Sequence, residues 1–312
     1  MGRPECSGVV GKRPHAAGRL PRPLCLRARG PRADLRHNIF GVDIDPRAVQ
    51  IAGLALWLRA QRALQGCGVP RGERPEPPPA RIVCAEPMPG EAALLEDFLG
   101  EMAEPALVPA VRRLVGHLRL AGEIGSLLKA EVEIREAIDA ARRGVWQDLP
   151  LFGRDTDGFW RQAEPRVLEA LGLYEEQAVN GTGYSRHLFT RETRQGLALL
   201  DTLCAVRFDV VLMNPPFGDA THASRPYLDD QYPRSRHDLA AAFVERGLEL
   251  LRPGGMLGAI TTRTPLFLSS SRRWREEVLL GRARLVAVAD LGAGVLESAM
   301  VEAAAYCLEA VA

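Results

Sequence analysis

The residues with the clearest chemistry are Asn214, Pro215, Pro216 and Phe217, which directly follow an apolar run from Val210 to Met213. The two prolines fix two φ angles and remove two N–H groups, so the carbonyls of this turn meet no competing local donor. The Asn214 amide offers an acceptor and two donors, and Phe217 offers a flat apolar face. These groups suit a planar amine, because hydrogen bonds accepted from its N–H groups would turn the nitrogen lone pair toward an electrophile.

The apolar run predicts the element that positions this group. Four consecutive apolar residues closed by two prolines are typical of a strand buried on both faces of a parallel sheet. Ligands of doubly wound α/β folds bind at the carboxyl ends of such strands. The purely structural alternative is a strand and a tight turn, with the asparagine as turn former and the phenylalanine in the core.

Acidic residues follow two further predicted strands. Residues 39–42 predict a short strand and residues 47–64 a helix, with Asp45 as its N-cap and Pro46 at its first position. Asp43 stands where a doubly wound fold places an acid for ribose hydroxyls. Glu86 follows a predicted strand at residues 81–84 and could face the same crevice. Asp43 could instead only cap the turn, and Glu86 could be a solvated loop acid.

Composition limits the classes of protein that fit. The chain has 312 residues, 46% of them hydrophobic, and no apolar run of membrane-spanning length. Its six cysteines include no C-x-x-C pair, which argues against zinc and disulfides and favours the cytoplasm. Residues 1–37 hold nine Lys and Arg against two acids, while the whole chain has a net charge of +1. The rest of the chain is therefore not broadly basic, and any contact with nucleic acid must be local or supplied elsewhere.

The predicted fold class is α/β, a doubly wound (Rossmann-like) sheet with an inserted helical subdomain. We divide the chain into an irregular basic leader (1–37), a first part of the sheet domain (38–90), a helical insertion (91–205) and a catalytic part (206–312). In the insertion, residues 123–143 predict one amphipathic helix. Its apolar stripe comprises Ile124, Leu127, Leu128, Ile134 and Ile138.

A polar loop is predicted after the central motif, at residues 219–237. Its tyrosines and arginines, Tyr227, Tyr232, Arg225, Arg234 and Arg236, suit stacking on bases and contact with phosphates. Asp238 is then expected to cap a helix over 239–251, followed by strands at 256–261, 285–290 and 303–308. Arg263, Phe267 and Arg272, beyond the strand at 256–261, are further candidates for DNA contact.

Asn214-Pro-Pro-Phe resembles the catalytic motif of the S-adenosylmethionine-dependent amino-methyltransferases, whose members act on adenine in DNA, on RNA or on protein glutamine. Taken together, several segments resemble the adenine-specific DNA methyltransferases of phage defence and combined restriction-modification, especially the BREX type. These segments are GVDIDPRAVQIAGLALWL (41–58), IGSLLKAEVEI (124–134), FDVVLMNPPFG (208–218), DLAAAFVERGLELLRPGG (238–255) and AITTRTPLFLSS (259–270).

The resemblance implies methyl transfer from S-adenosylmethionine to N6 of a flipped adenine in DNA. Asn214, Pro215, Pro216 and Phe217 would hold the base, and the cofactor would contact Asp43, Ile44 and Glu86. It implies no metal, and as partners it implies DNA and a target-recognition region or other defence subunits.

Two departures from the family pattern matter. The glycine-rich turn that holds the methionine part of the cofactor has only the partial match Pro4-Glu5-Cys6-Ser7-Gly8, and a shifted or truncated reading frame would explain such a start. Ser271 stands where relatives often carry an aromatic residue, and the target-recognition region has no visible counterpart. We therefore expect this chain to be inactive alone. The alternatives are a non-catalytic remnant that binds DNA or a partner, and an N-methyltransferase for RNA or protein glutamine.

Overall fold

The computed structural model describes residues 37–75, 81–85, 92–148, 162–180, 207–295 and 301–311, together with five isolated residues. Those five are Leu35, Pro87, Leu199, Thr202 and Leu203. Six strands are present in the described residues. They are β1 (Phe40–Asp43), β2 (Arg81–Cys84), β3 (Phe208–Met213), β4 (Leu251–Thr262), β5 (Ala283–Gly292) and β6 (Ala303–Ala310).

Ten α-helices are present in the described residues, five of them between β2 and β3. In chain order they are α1 (Pro46–Gly66), α2 (Ala92–Glu101), α3 (Val108–Leu118), α4 (Ala121–Ile124), α5 (Ala130–Asp148), α6 (Ala163–Asn180), α7 (Arg225–Gln231), α8 (Leu239–Leu250), α9 (Thr264–Phe267) and α10 (Arg272–Trp274). Short 3-10 turns cover Arg71–Glu73, Pro105–Leu107, Gly125–Leu127 and Ser269–Ser271, and a π-helical turn covers Arg275–Leu279. None of the described helices combines the length and the apolar character needed to cross a bilayer.

The strands form two sheets. β1 and β2 make a two-stranded sheet, and the other four strands are ordered β3-β4-β6-β5. β3 runs parallel to β4, with Val210 opposite Met256 and Met213 opposite Ala259, whereas β6 is antiparallel to both of its neighbours. The α/β fold class is confirmed, and within it the parallel pair β3–β4 places the Asn214 turn at a carboxyl end.

The burial of β3 differs from the sequence prediction. Val210 is 55% exposed and Leu212 is 80% exposed, although the apolar run predicts a strand buried on both faces. Among the described strands, β3 is the last of its sheet and pairs with β4 alone. An apolar strand with a single neighbour keeps one edge and part of its surface open to solvent.

The buried apolar residues of the described part form two cores. The larger core joins the helices of residues 92–180 to the region after the central motif, with Leu127 and Leu171 packed in one cluster with Tyr227 and Tyr232. The smaller core lies between α8 and the four-stranded sheet. There Trp274 is 1% exposed, and its indole N–H donates to the carbonyl of Ala241 at 3.1 Å.

The helix predicted over 123–143 is interrupted. Gly125 has φ +50, a conformation that residues with a side chain rarely adopt, and it separates α4 from a 3-10 turn and then α5. All five residues of the predicted stripe are nevertheless buried. The apolar periodicity thus identified the buried positions, while the glycine decided where the helix stops.

The chain divides into two compact units. One comprises Met1–Ile39 and Gly53–Arg81, and the other comprises Phe40–Ala52 and Ile82–Ala312. Every residue of the candidate site described below belongs to the second unit. The division into segments 1–37, 38–90, 91–205 and 206–312 stays a prediction.

Candidate active site

The Asn214 turn lies at the carboxyl end of β3, as the sequence predicts. Asn214 and Pro216 are exposed, Pro215 is buried and Phe217 is half-buried. The turn closes at Gly218, whose φ of +110 favours glycine and whose carbonyl accepts from the Leu239 N–H at 3.0 Å. That hydrogen bond ties the turn to the start of α8, where Asp238 is the N-cap and accepts from the Ala241 N–H.

The Asn214 turn and the end of β1 line the same cavity, which has a volume of about 530 Å³. Asn214, Pro215 and Pro216 line it from one strand, and Asp43 and Ile44 line it from the other. The polar group that could hold an amine and the acid that could hold ribose hydroxyls therefore share one opening. Phe217 does not line this cavity.

The two aspartates after β1 both stabilise the turn into α1. One oxygen of Asp43 accepts from the Asp45 N–H at 2.8 Å, and one oxygen of Asp45 accepts from the Arg47 N–H at 2.9 Å. The Arg47 guanidinium also hydrogen-bonds to Asp45 and lowers the pKa of that carboxyl below its usual value. Asp43 is exposed and Ile44 is 45% exposed, so both can meet a ligand as well as shape the turn.

One wall of the cavity was not predicted from the sequence. It is formed by Arg246 and the 3-10 turn at Gly125–Leu127. Arg246 is 1% exposed and donates to the Ser126 carbonyl at 3.0 Å, to the Leu128 carbonyl at 3.1 Å and to Glu131 at 2.9 Å. Burial is the largest single influence on the pKa of Arg246 and would lower it, but the hydrogen bond to Glu131 and the nearby Tyr232, Glu131 and Glu249 together raise that pKa above its ordinary value. The available signal was a charged residue in the middle of the apolar helix over 239–251.

Glu123 is a second wall residue that the sequence did not single out. Its side chain lines the cavity, and its carboxylate accepts a hydrogen bond from the Thr221 hydroxyl. Thr221 is also 2.8 Å from the Ser224 hydroxyl, at the start of α7. These contacts attach the segment after the Asn214 turn to the cavity wall.

Four of the arginines predicted to contact DNA are paired within the protein. Arg225 donates to the Arg236 carbonyl at 3.0 Å, Arg234 to Glu277 at 2.7 Å and Arg272 to Glu276 at 2.8 Å. Arg263 donates to Asp290 at 2.9 Å and also pairs with Glu302. The internal acids neutralise much of the local positive charge, so phosphates would have to compete with them.

Apart from Arg272, which is exposed but ion-paired, Arg236 and Phe267 are the exposed side chains among the predicted DNA contacts. Arg236 is exposed, and Phe267 is 70% exposed with the Arg263 guanidinium 5.9 Å from its ring centroid. Phe267 ends the short helix that follows β4, and β4 is parallel to β3. Both side chains are accessible to a large ligand.

The prediction that Tyr227 and Tyr232 stack on bases from a loop is wrong. The segment folds as helix α7, and the two rings are 7% and 0% exposed. The Tyr232 hydroxyl donates to the Leu127 carbonyl at 2.6 Å, and the Tyr227 oxygen accepts from the Lys129 N–H at 2.8 Å. Both tyrosines therefore hold the region after the Asn214 turn against the helical segment, because their rings are apolar and their hydroxyls reach buried backbone.

Two of the sequence predictions fall on residues that the structure does not describe. Glu86 and the basic leader at 1–34 lie outside the described residues, so their roles stay predictions. Within the described residues, no group of three or more His, Cys, Asp or Glu side chains could hold a metal ion.

Comparison with known proteins gives a family and one curated relative. A family model described as "Eco57I restriction-modification methylase" matches residues 37–294. The adenine-specific methyltransferase BrxX of Escherichia coli O9:H4 (strain HS) is 25% identical over 296 residues. That alignment covers 89% of this chain but 22% of BrxX, so the chain spans less than a quarter of the relative's length.

Two solved structures show weaker similarity. One is described as a class I S-adenosylmethionine-dependent methyltransferase (lmo1582) from Listeria monocytogenes, with 13% identity and a TM-score of 0.30 over 70% of this chain and 86% of that chain. The other belongs to a study of complex assembly in a type I R-M system, with 14% identity and a TM-score of 0.29 over 69% and 57% of the two chains. Both TM-scores are below 0.5, so the fold assignment rests on the strands and helices themselves.

Proposed function

Because this chain belongs to the Eco57I restriction-modification methylase family, we propose that it carries the catalytic part of an adenine-specific DNA methyltransferase. The observation that carries this proposal is the shared cavity of the Asn214 turn and Asp43. Its substrate would be the N6 amino group of an adenine flipped out of duplex DNA, and its role would be in phage defence or restriction-modification in the cytoplasm.

The Asn214 turn can solve the main chemical problem of this reaction. An exocyclic amine is a weak nucleophile because its lone pair is conjugated into the ring. If the Asn214 side-chain oxygen and the Pro215 carbonyl each accept one N–H, the nitrogen becomes more pyramidal and its lone pair turns toward the methyl donor. Two neighbouring acceptors fixed at a strand end also set the position of the amine before reaction, which is a large part of such catalysis.

Phe217 is the proposed stacking partner for the flipped base. Extrusion of a base from the duplex costs a few kcal/mol, and stacking on an aromatic side chain recovers about 1–3 kcal/mol. The ring is half-buried and follows the turn directly, so it is the aromatic side chain next to the residues that would hold the amine. Phe267, 70% exposed, is a second aromatic ring accessible to a large ligand.

The cavity fits S-adenosylmethionine in size and in the chemistry of its lining. Its volume of about 530 Å³ lies within the range of roughly 300–1,000 Å³ of small-molecule sites. The Asp43 carboxylate would accept hydrogen bonds from ribose hydroxyls, and Ile44 would pack on the adenine of the cofactor. When bound, this cofactor supplies a methyl group on a positively charged sulfur. Glu86 is proposed to contribute to the same site.

DNA binding is proposed to need help from outside the described residues. Arg225, Arg234, Arg263 and Arg272 are paired internally, and Arg236 is exposed. We therefore propose that a target-recognition region or another subunit of the defence system supplies most of the phosphate contacts. Such a division would agree with the near-neutral charge of this chain.

The test is transfer of labelled methyl from S-adenosylmethionine to unmethylated DNA, preceded by calorimetric titration with the cofactor. In any preparation that transfers methyl, Asn214→Ala should lower the rate by roughly 10²–10³-fold, the usual effect of removing one positioned polar group from an active site. Because Asn214 is exposed, its loss should change the free energy of unfolding by less than about 0.5 kcal/mol. Gln231→Ala, which removes an amide on α7 away from the cavity, is the matched control.

The other outcomes separate the alternatives. Transfer to RNA or to a glutamine-containing peptide in place of DNA would favour the second enzymatic function. Failure to bind the cofactor at all would favour a non-catalytic remnant that binds DNA or a partner. Equal rates for Asn214→Ala and the parent chain would contradict the proposed role of the turn.

A further inference from the structure

The segment of residues 121–127, which comprises α4 and the 3-10 turn after it, lies against the ends of β1 and β2. A Cβ atom on Gly122 would be 2.9 Å from Cδ of Pro87. A Cβ atom on Gly125 would be 3.2 Å from Cγ2 of Ile44 and 3.8 Å from Cβ of Ala85. Ile44 directly follows β1, and Ala85 directly follows β2. The helical insertion therefore reaches the carboxyl ends of both strands.

Glycine makes this close approach possible. A Cβ atom 2.9 Å from Pro87 would overlap the proline ring, so Gly122 allows contact that a residue with a side chain would prevent. Gly125 has φ +50 and ψ −121, a combination that glycine adopts far more readily than other residues. The two glycines, three residues apart, thus let the backbone of the insertion lie directly beside the strand ends.

The 121–127 segment is also fixed from its other side. The Arg246 guanidinium donates to the Ser126 carbonyl at 3.0 Å, and the Tyr232 hydroxyl donates to the Leu127 carbonyl at 2.6 Å. Both donors belong to the part of the chain that follows the Asn214 turn. The segment is therefore held between the ends of β1 and β2 and the elements after β3.

Glu123 presents a carboxylate to the cavity from this fixed segment. Its side chain lines the cavity together with Asp43 and Ile44, and one of its oxygens accepts from the Thr221 hydroxyl. A carboxylate can accept about four hydrogen bonds, so the contact with Thr221 leaves capacity for a ligand. Because Gly125, two residues later, lies against Ile44, the carboxylate is on the side of the cavity where the base of the cofactor is proposed to pack.

We propose that Glu123 determines which base the cofactor site accepts, because its carboxylate takes a hydrogen bond from the exocyclic amine of the cofactor's adenine. This inference rests on the proposed function, since it needs S-adenosylmethionine in the cavity. Asp43 would hold the ribose and Ile44 a flat face of the base, and neither contact distinguishes adenine from another purine. A carboxylate does distinguish them, since it accepts from an amine and repels a carbonyl oxygen.

The probes are S-adenosylhomocysteine and S-inosylhomocysteine, in which a carbonyl oxygen replaces the amine of the base. Neither carries a transferable methyl group, so calorimetric titration of their binding needs no activity. We expect the parent chain to prefer the adenine ligand by about 10-fold or more, because the inosine ligand would place one acceptor against another.

Glu123→Gln should lower that preference by about 10-fold, to equality or reversal. The new amide can donate to the carbonyl oxygen of the inosine ligand, and its own oxygen can still accept from Thr221. Glu96→Gln is the matched control, since it makes the same chemical change on α2 at a side chain that is 56% exposed and does not line the cavity. Thr221→Val removes only the internal contact, so it should change both affinities by the same factor.

The outcomes separate this inference from the proposed function. If Glu123→Gln keeps the preference of the parent, or if the parent binds both ligands equally, Glu123 does not select the base and the inference is overturned while the cofactor site stands. If the parent binds neither ligand, the cofactor site is itself contradicted, and the inference falls with it. A loss of preference in Glu96→Gln equal to that in Glu123→Gln would also overturn the inference.

Discussion

Asp43 combines a structural contact with an accessible position in the candidate site. One of its oxygens accepts from the Asp45 N–H, while the residue is exposed at the cavity. Asp45, two residues later, is committed to the N-terminus of α1 through the Arg47 N–H and guanidinium. Variants of these two neighbouring residues therefore separate a ligand-binding role, proposed for Asp43, from the helix-capping role of Asp45.

Asp43→Asn should weaken S-adenosylmethionine binding by roughly 10-fold, because the amide loses the charge and one acceptor for ribose hydroxyls. The asparagine oxygen can still accept from the Asp45 N–H, so the turn should remain. Asp45→Ala should instead lower the free energy of unfolding by about 1 kcal/mol through loss of the helix cap, with cofactor affinity unchanged. Calorimetric titration and urea unfolding measure the two effects. Equal loss of affinity in both variants would assign Asp43 to the turn alone.

Two buried connections between elements hold the cavity wall in place. Arg246 of α8 reaches across to Glu131 at the start of α5, and the tyrosines of the α7 segment reach the backbone at Leu127 and Lys129. Arg246 and Glu131 are 1% and 4% exposed. The position of the 3-10 turn beside Asp43 therefore depends on polar contacts made inside an apolar core.

The ion pair of Arg246 and Glu131 predicts an asymmetric mutational response. Arg246→Met would leave the Glu131 carboxylate buried without its partner, which should lower the free energy of unfolding by ~3–5 kcal/mol. Adding Glu131→Leu removes that uncompensated charge, so the double variant should regain most of the loss. Urea unfolding followed by circular dichroism measures both. A single variant that costs less than about 1 kcal/mol would show that the pair is not effectively buried.

The buried tyrosines predict loss of stability at high pH. Burial is the main cause that raises the pKa values of Tyr227, Tyr232 and Tyr306 above the ordinary value of 10.0. Above that pH the unfolded chain releases phenol protons that the folded chain retains, so stability is fully present below pH 10 and falls as the pH rises further.

Tyrosinate absorbance and circular dichroism should therefore change together in an alkaline titration of the protein. Tyr232→Phe should reduce the pH dependence, because it removes one of the retained protons, even though it also leaves the Leu127 carbonyl without its hydroxyl donor. Appearance of tyrosinate for these residues with native circular dichroism would contradict the prediction.

At the scale of the molecule, one face of the four-stranded sheet packs on α8 and the residues near Trp274, and the other face carries exposed apolar side chains. Trp274, Val278 and α8 pack on one face, whereas Leu212, Ile260 and Val288 are 80%, 36% and 50% exposed. A second cavity of about 570 Å³ lies over this open face, lined by Leu212, Gly258 and Cys307 among others. Contiguous apolar surface of this kind promotes association in water.

We therefore expect concentration-dependent self-association, which sedimentation velocity can measure. Leu212→Lys should reduce it and change the free energy of unfolding by less than about 0.5 kcal/mol, since the side chain is already exposed. Leu280→Lys, at 63% exposure outside the open face, controls for the added charge. Identical sedimentation of both variants and the parent would show that the face does not drive association.

The sequence by itself determined the local features of the site. The prolines and the apolar run placed Asn214 at a strand end, Asp45-Pro46 and Asp238 placed two helix starts, and the stripe of apolar residues identified buried positions. These features depend on neighbouring residues, whose backbone preferences are readable in order. The strands at 285–290 and 303–308 were found for the same reason, slightly short of β5 and β6.

Only the tertiary structure decided which residues share the cavity, which charges are neutralised and which strands have partners. Arg246 and Glu131 pair although they lie far apart in the chain. Tyr227 and Tyr232, predicted to lie in a loop, are buried in the core. In the described part of the chain, β3 is an edge strand. Each outcome depends on contacts between segments that are distant in the chain. The free energy of such contacts cannot be predicted from a local sequence pattern. Burial of β3 requires a neighbouring strand, and no property of β3's own residues can provide one.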